Sequence, residues 1–126
     1  MNNTERKNVK DWKLLAVRPS RGEIANKRYI AIFEKTLKSG KKKEKKVGFG
    51  LPNPERRKIT FTDGASNEKR EAYLERHAVD LKTNNPKKAG YLAYYILWSG
   101  FEDELGHKPS QSLVKNVLRY KKMFDL

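Results

Sequence analysis

The residues best able to do chemistry in this chain are lysines, and many of them lie in one short segment. Five of the six residues from 41 to 46 are lysine, and Lys35 and Lys38 precede them. Lysine ammonium groups are compact positive charges that bind phosphates and carboxylates. Residues 1–62 carry 18 Lys and Arg against 6 Asp and Glu, whereas residues 63–126 carry 11 against 9. This asymmetry predicts an anionic partner for the first half of the chain.

Three basic groups are predicted to contact that partner: the lysine-rich segment, a group that follows Pro54, and one face of the last helix. The helical group recurs at intervals of four and three residues, which places its members on one side. The predicted anion-binding residues are Lys38, Lys41, Lys42, Lys43, Lys45, Lys46, Arg56, Arg57, Lys58, Lys115, Arg119 and Lys122. We expect electrostatic contacts without sequence preference, because no helix-turn-helix or aromatic stacking motif accompanies these charges.

The sequence offers no residue set for catalysis or for a metal site. A zinc site needs three or four nitrogen or sulfur ligands, whereas the chain has two distant histidines, His77 and His107, and no cysteine. The acidic residues 102–104 are interpreted as a solvated loop. Gly48 and Gly50 lack the third glycine of a phosphate loop and predict close strand packing instead. We therefore expect no enzyme activity, no metal, no cofactor and no small-molecule substrate, with His77 as a hydrogen-bonding residue.

The elements that must position the lysines are predicted to be strands in the first half. Alternating apolar, β-branched and aromatic residues predict strands at 12–18, 28–34, 47–51 and 58–62, with Ile59 and Phe61 inward in the last. Residues 35–46 would then form a hairpin loop that carries the positive charge at a projecting tip. Residues 1–10 are predicted to be a flexible basic N-terminus.

The second half is predicted to be helical. Ser66 or Asn67 caps a helix over residues 68–81, Asn85 and Pro86 begin a central core helix that ends near Trp98, and Ser110 caps the last helix. The residues predicted to face the core are Leu74, Ala78 and Leu81 in the first helix, and Leu113, Val114, Val117, Leu118, Tyr120 and Phe124 in the last. The fold class is α+β: one domain over residues 11–126, with a small antiparallel sheet of three to four strands within 11–62 covered by three helices within 66–126.

Membrane insertion is not expected. The longest apolar run covers residues 89–98, and ten residues of helix cannot cross about 30 Å of hydrocarbon. The first residues also lack the apolar stretch of a signal peptide. The sequence therefore predicts a soluble protein.

Several short motifs follow one another in a recognisable order. They are Phe49-Gly50, Thr60-Phe61-Thr62, residues 67–77 with Tyr-Leu-Glu-Arg-His at their end, Asn85-Pro86, residues 89–92, Ile96-Leu97-Trp98 and residues 120–124. This order resembles a small basic family of nucleocytoplasmic large DNA viruses, with relatives in algae, over roughly residues 11–126. The chain departs from that family in its expanded hairpin, in a long connector over residues 101–109, and in Gly48, where a histidine is expected.

The family has no assigned biochemical function, so the resemblance implies a viral protein and a virion component. The leading hypothesis is a non-enzymatic structural protein of the particle, of the minor capsid type, located in the virion and in the host cytoplasm or nucleus during assembly. Its expected partners are other virion or capsid proteins, DNA or RNA, or an anionic membrane surface. The alternative is a sequence-independent nucleic-acid-binding protein of viral replication or transcription. A third hypothesis is an enzyme that uses His77.

Overall fold

The computed structural model describes residues 1–101 and 108–126. Within these residues a helix, α1 (Asn3–Val9), precedes three strands: β1 (Trp12–Pro19), β2 (Tyr29–Thr36) and β3 (Lys42–Phe49). The α-helices that follow are α2 (Asn67–His77), α3 (Ala89–Leu92) and α4 (Leu113–Met123). Short 3-10 turns lie at Phe61–Asp63 and Ala78–Thr83, and α3 continues into a π-helical turn at Ala93–Leu97. The α+β class predicted from the sequence is confirmed.

The sheet is antiparallel, with the strand order β1-β2-β3. The lysine-rich segment forms strand β3 itself, so the predicted hairpin loop over residues 35–46 is wrong. Its register pairs Tyr29 with Phe49 at one end and Thr36 with Lys42 at the other. The turn is limited to residues 37–41, where the Leu37 N–H donates to the Lys41 carbonyl at 2.8 Å. Pairing with β2 supplies backbone hydrogen bonds that outweigh the low strand preference of lysine.

A helix also replaces the flexible N-terminus that was predicted. Helix α1 begins with a capping box, in which the Asn2 side chain accepts from the Glu5 N–H and the Glu5 carboxylate accepts from the Asn2 N–H. The Asn8 amide donates to the Asn84 carbonyl at 2.7 Å, and the Val9 side chain is buried. Capping and long-range contacts therefore order a segment whose composition alone predicts fraying.

The predicted fourth strand over residues 58–62 does not form. The Asp63 carboxylate accepts hydrogen bonds from the Thr60 N–H at 3.2 Å and from the Thr60 hydroxyl at 3.0 Å. These bonds bend the chain into the 3-10 turn Phe61–Asp63, which buries Phe61 and leaves Ile59 exposed. Of the two residues predicted to face inward, Phe61 is buried and Ile59 is not, and in the described residues no strand pairs with residues 58–62.

The helices of the second half begin and end at different residues from those predicted. Ser66 caps α2 as expected, but α2 ends at His77, and Ala78 is exposed in the 3-10 turn that follows. Asn85 and Pro86 belong to a turn, in which the Lys88 N–H donates to the Asn85 carbonyl at 3.0 Å. Helix α3 therefore begins three residues later than Pro86.

Helix α4 is capped by Ser112, whose side chain accepts from the Lys115 N–H, and not by Ser110. The predicted inward residues Leu113, Val117, Tyr120 and Phe124 pack in the core, and Leu74 and Leu81 also pack against it. Val114 and Leu118 are exposed, so the buried stripe of α4 is narrower than predicted. The stripe narrows because α4 meets the core along one line of residues.

The core lies between one face of the sheet and the helices. Leu14, Phe33 and Phe49 from the sheet pack in one cluster with Ile96 and Tyr120 from the helices. On the opposite face, a Cβ on Gly48 would lie 2.7 Å from the Lys27 side chain, so the glycine permits the close packing expected of it. The sheet therefore has a face that packs on the helices, called the helix-side face below, and an opposite face, called the far face.

Candidate anion-binding surface

Strand geometry divides the lysines of β3 between the two faces of the sheet. Side chains alternate along a strand, so Lys43 and Lys45 share the helix-side face with Phe49, whereas Lys42 and Lys46 lie on the far face. The four residues were predicted as one tip, but the fold separates them into two pairs with different surroundings. The two faces must therefore be considered separately as anion-binding surfaces.

On the far face, carboxylates accompany the positive charges. The Lys42 ammonium lies 3.3 Å from the Glu34 carboxylate, and the Lys46 ammonium lies 3.7 Å from the Glu44 carboxylate. These ion pairs are exposed, so each contributes little to stability. They nevertheless place negative charge beside each lysine and reduce the positive potential of this face.

On the helix-side face, four lysines lie together, and we call them the lysine cluster: Lys35, Lys43, Lys45 and Lys87. Lys35 lies directly opposite Lys43 across β2 and β3, and Lys45 lies opposite Phe33, two residues along the strand. Within residues 1–101 and 108–126, no carboxylate lies at ion-pair distance from any of the four. The cluster therefore holds positive charge that the described part of the chain does not neutralise.

Lys87 joins the cluster from the turn before α3. Its ammonium lies over the Trp12 ring, 4.7 Å from the ring centroid, and Trp12 pairs with Lys35 across β1 and β2. Burial lowers the pKa of Lys87, and the positive charges of Lys45, Lys35 and Lys43 lower it further. The four side chains therefore repel one another, and an anion placed among them would relieve that repulsion.

The remaining predicted contacts lie elsewhere. Lys38 and Lys41 occupy the hairpin turn and are exposed, as are Arg56, Arg57 and Lys58 in the segment before Thr60. The Arg57 guanidinium lies 2.7 Å from the Glu55 carboxylate. In the described part of the chain, no hydrogen bond or ion pair joins these residues to the lysine cluster.

The basic face of α4 lines an open groove that does not include the lysine cluster. Lys115, Arg119 and Lys122 share this groove with Tyr94 and Phe101. The Arg119 guanidinium lies over the Phe101 ring, 4.6 Å from its centroid. The fold therefore distributes the predicted residues over at least three separate surfaces.

His77 makes the hydrogen bond expected of it, and the rest of its surroundings are aromatic. Its Nδ1 lies 3.0 Å from the Asp80 carboxylate, and its ring stacks on Tyr73 at 4.1 Å between centroids. Tyr73 stacks in turn on Trp98 at 4.3 Å, and burial raises the pKa of Tyr73 to about 12. Among the described residues no three His, Asp or Glu side chains form a group that could hold a metal ion. His107 and the acidic residues 102–104 lie outside the described residues.

Comparison with known proteins adds no assignment. No family model, no curated protein and no solved structure matches this chain. The described helices include none whose length and apolar character would let it cross a bilayer.

Sequence reasoning missed Lys35 and Lys87 as members of the site. Lys35 follows Phe33 by two residues, so its position on the helix-side face follows from alternation once β2 is assigned. No comparable signal exists for Lys87, because the packing of its turn on Trp12 is a tertiary contact.

Proposed function

We propose that this protein is a non-enzymatic binding protein that holds a polyanion, the phosphate backbone of nucleic acid, against its lysine-bearing sheet. The observation that supports this function is the lysine cluster. Its four positive charges lie on one face without a carboxylate partner in the described residues. Like charges held this close raise the free energy of the unbound protein, and phosphates lower it again.

A polyanion suits this surface better than a single acidic side chain. The positions of Lys43 and Lys45 are separated by two strand residues, about 6.8 Å, and Lys35 lies one strand away at about 4.8 Å. Several anionic groups on a regular backbone engage such an array together. Binding of this kind displaces condensed counterions, so its affinity falls steeply as salt is raised.

Fluorescence anisotropy with a labelled 20-base-pair duplex tests this function. If four lysines contact phosphates, the slope of log affinity against log salt is about −3.6, so raising salt from 50 to 200 mM weakens binding about 150-fold. Replacing Lys42, Lys43, Lys45 and Lys46 by glutamine should flatten that slope by about 1.8 or more. The control variant has glutamine at four exposed positions elsewhere and so loses the same charge. It should alter the salt slope by less than about 0.5. Its four positions are Lys7, Lys69, Arg76 and Lys82. Equal losses in both variants, or no binding by the unmodified protein, would contradict the function.

The location we propose for this binding is the particle of a large DNA virus, where the protein would contact the packaged genome as a minor capsid-type component. The resemblance described above supports that location, and the charge supports a genomic partner. Mass spectrometry of purified particles tests it. Abundance in infected cytoplasm together with absence from particles would contradict the location and leave nucleic-acid binding to be judged by the anisotropy experiment.

A further inference from the structure

The two faces of β3 provide matched lysine pairs for locating the binding surface. Both pairs belong to the same strand and carry the same formal charge, and Glu44 lies midway between the members of each pair. They differ in their neighbours. Lys42 and Lys46 each have a carboxylate within 3.7 Å, whereas Lys43 and Lys45 have further lysines.

The helix-side pair also has a fixed partner above the sheet. The backbone that carries Lys87 is held by the Asn85 side chain, which accepts from the Lys87 N–H at 3.0 Å, and by the turn bond from Lys88 to Asn85. The ammonium is then placed over Trp12 by a cation–π contact. Lys87 therefore reaches the cluster from the turn before α3, so the positive charges of the site come from the sheet and from this turn.

From these contacts we propose that a backbone phosphate of nucleic acid binds on the helix-side face of the sheet, among Lys35, Lys43, Lys45 and Lys87, and that the far face does not contact the nucleic acid. This assignment rests on the proposed function and names the surface that performs it. Trp12 forms the wall beside Lys35, so it lies next to the bound phosphate. The free phosphate ion shares this chemistry and is treated below as a separate arm of the test.

The first experiment compares two double variants, K43Q/K45Q on the helix-side face and K42Q/K46Q on the far face. Each removes two positive charges from β3, so any difference reports position and not net charge. For K43Q/K45Q the salt slope should flatten by about 1.8, which makes the weakening between 50 and 200 mM salt about twelve-fold smaller than in the unmodified protein. For K42Q/K46Q the change should be less than half of that. K87Q should flatten the slope by about 0.9.

The outcomes separate this assignment from the function on which it rests. Equal effects of the two double variants, or a larger effect of K42Q/K46Q, would overturn the assignment while leaving nucleic-acid binding in place. Failure of the unmodified protein to bind would overturn the function. Thermal melts followed by circular dichroism check folding, and K43Q/K45Q should melt at or above the unmodified protein because it loses lysine–lysine repulsion.

A second experiment uses Trp12 as a local reporter. The W98F variant keeps an aromatic ring against Tyr73 and leaves Trp12 as the remaining tryptophan. Saturation with duplex should change Trp12 emission, and added K43Q/K45Q substitutions should weaken that response in parallel with the anisotropy. Unchanged emission at saturation would overturn the assignment. Inorganic phosphate, compared with chloride at equal ionic strength, should change Trp12 emission only at much higher concentration; an equal response at duplex concentrations would show a free-phosphate site in place of a nucleic-acid site.

Discussion

Asp63 is the residue on which the segment before α2 depends, and its replacement by asparagine is a sharp test of the fold. Its carboxylate receives the Arg28 guanidinium through both oxygens, at 2.7 and 2.8 Å, and also accepts from Thr60. The basic group Arg56, Arg57 and Lys58 lies in the segment between β3 and Asp63. Asp63 therefore joins the start of β2 to a loop that has no strand of its own.

The size of the effect follows from burial and charge. The side chains are 9% exposed for Asp63 and 25% exposed for Arg28, so solvent screens the pair incompletely. A hydrogen bond to a charged group contributes about 1.5–3 kcal/mol, and D63N removes at least one of the two bonds from Arg28, because an amide NH2 cannot accept, and leaves the guanidinium without a counter-charge. We expect a loss of about 2–4 kcal/mol in the free energy of unfolding at pH 7. At about 2.1 cal/mol/K of unfolding entropy per residue, the melting temperature should fall by about 8–15 °C.

The loss should depend on pH in a defined direction. Burial alone would raise the pKa of Asp63, but hydrogen bonds from Arg28 and Thr60 outweigh burial and lower it below its ordinary value. A lowered pKa in the folded state contributes stability that is complete above the unfolded pKa, near 3.9, and is lost as pH falls through the folded pKa. The difference between the unmodified protein and D63N should therefore shrink below about pH 4.

Urea unfolding at pH 7, 5 and 3 measures this difference, and a double-mutant cycle with Arg28→Gln isolates the pair. Glu55→Gln is the control in the same segment, since its ion pair with Arg57 is exposed and should contribute less than about 1 kcal/mol. A D63N effect below about 0.5 kcal/mol at pH 7, or a coupling free energy near zero, would refute the reasoning.

Two further substitutions test packing in the helical half. Asn116→Ala removes two hydrogen bonds of 2.9 Å that the side-chain amide donates to backbone carbonyls of other segments. The free energy of unfolding in urea should fall by about 2–4 kcal/mol. Val114→Ala, on the exposed side of the same helix, is the control and should lower it by less than about 0.5 kcal/mol. Gly90→Ala places a Cβ 2.8 Å from the Asp80 Cβ, so overpacking of about 1–3 kcal/mol should exceed the gain of up to about 1 kcal/mol in helix propensity. A melting temperature for Gly90→Ala at or above that of the unmodified protein would contradict this, because it would show that the turn Ala78–Thr83 shifts to accommodate the added methyl group at little free-energy cost.

The sequence predicts the parts of this fold in which local preference and tertiary structure agree. Strand β2 is rich in β-branched and aromatic residues, and the Ser66 cap of α2 uses the hydrogen bond for which serine is preferred. The core-facing residues Tyr120 and Phe124 follow from helical spacing in the same way.

Patterns of residue type mislead where a specific contact decides the structure. Strand β3 has a composition typical of a loop, and its register with β2 makes it a strand. Residues 58–62 have a composition typical of a strand, and the Asp63 carboxylate makes them a turn. The lysine cluster depends on two such contacts, namely the pairing of β3 with β2 and the packing of Lys87 on Trp12. The sequence predicts Lys43 and Lys45 as anion-binding residues and, once β2 is assigned, the face of Lys35, but it contains no signal for Lys87.

The position of β3 at the end of the strand order has a consequence for the protein before any partner arrives. In the described residues no strand pairs with its outer side, so the backbone N–H and C=O groups on that side take no part in a β ladder. Exposed edges of this kind are templates for aggregation, and charged side chains, lysine above all, are a common protection against it. Lysines on both faces of β3 would bring like charges together in any edge-to-edge pair. The charges that suit the sheet to a polyanion therefore also keep copies of the protein apart. Variants that remove them lose binding and also leave the edge of β3 less protected against aggregation.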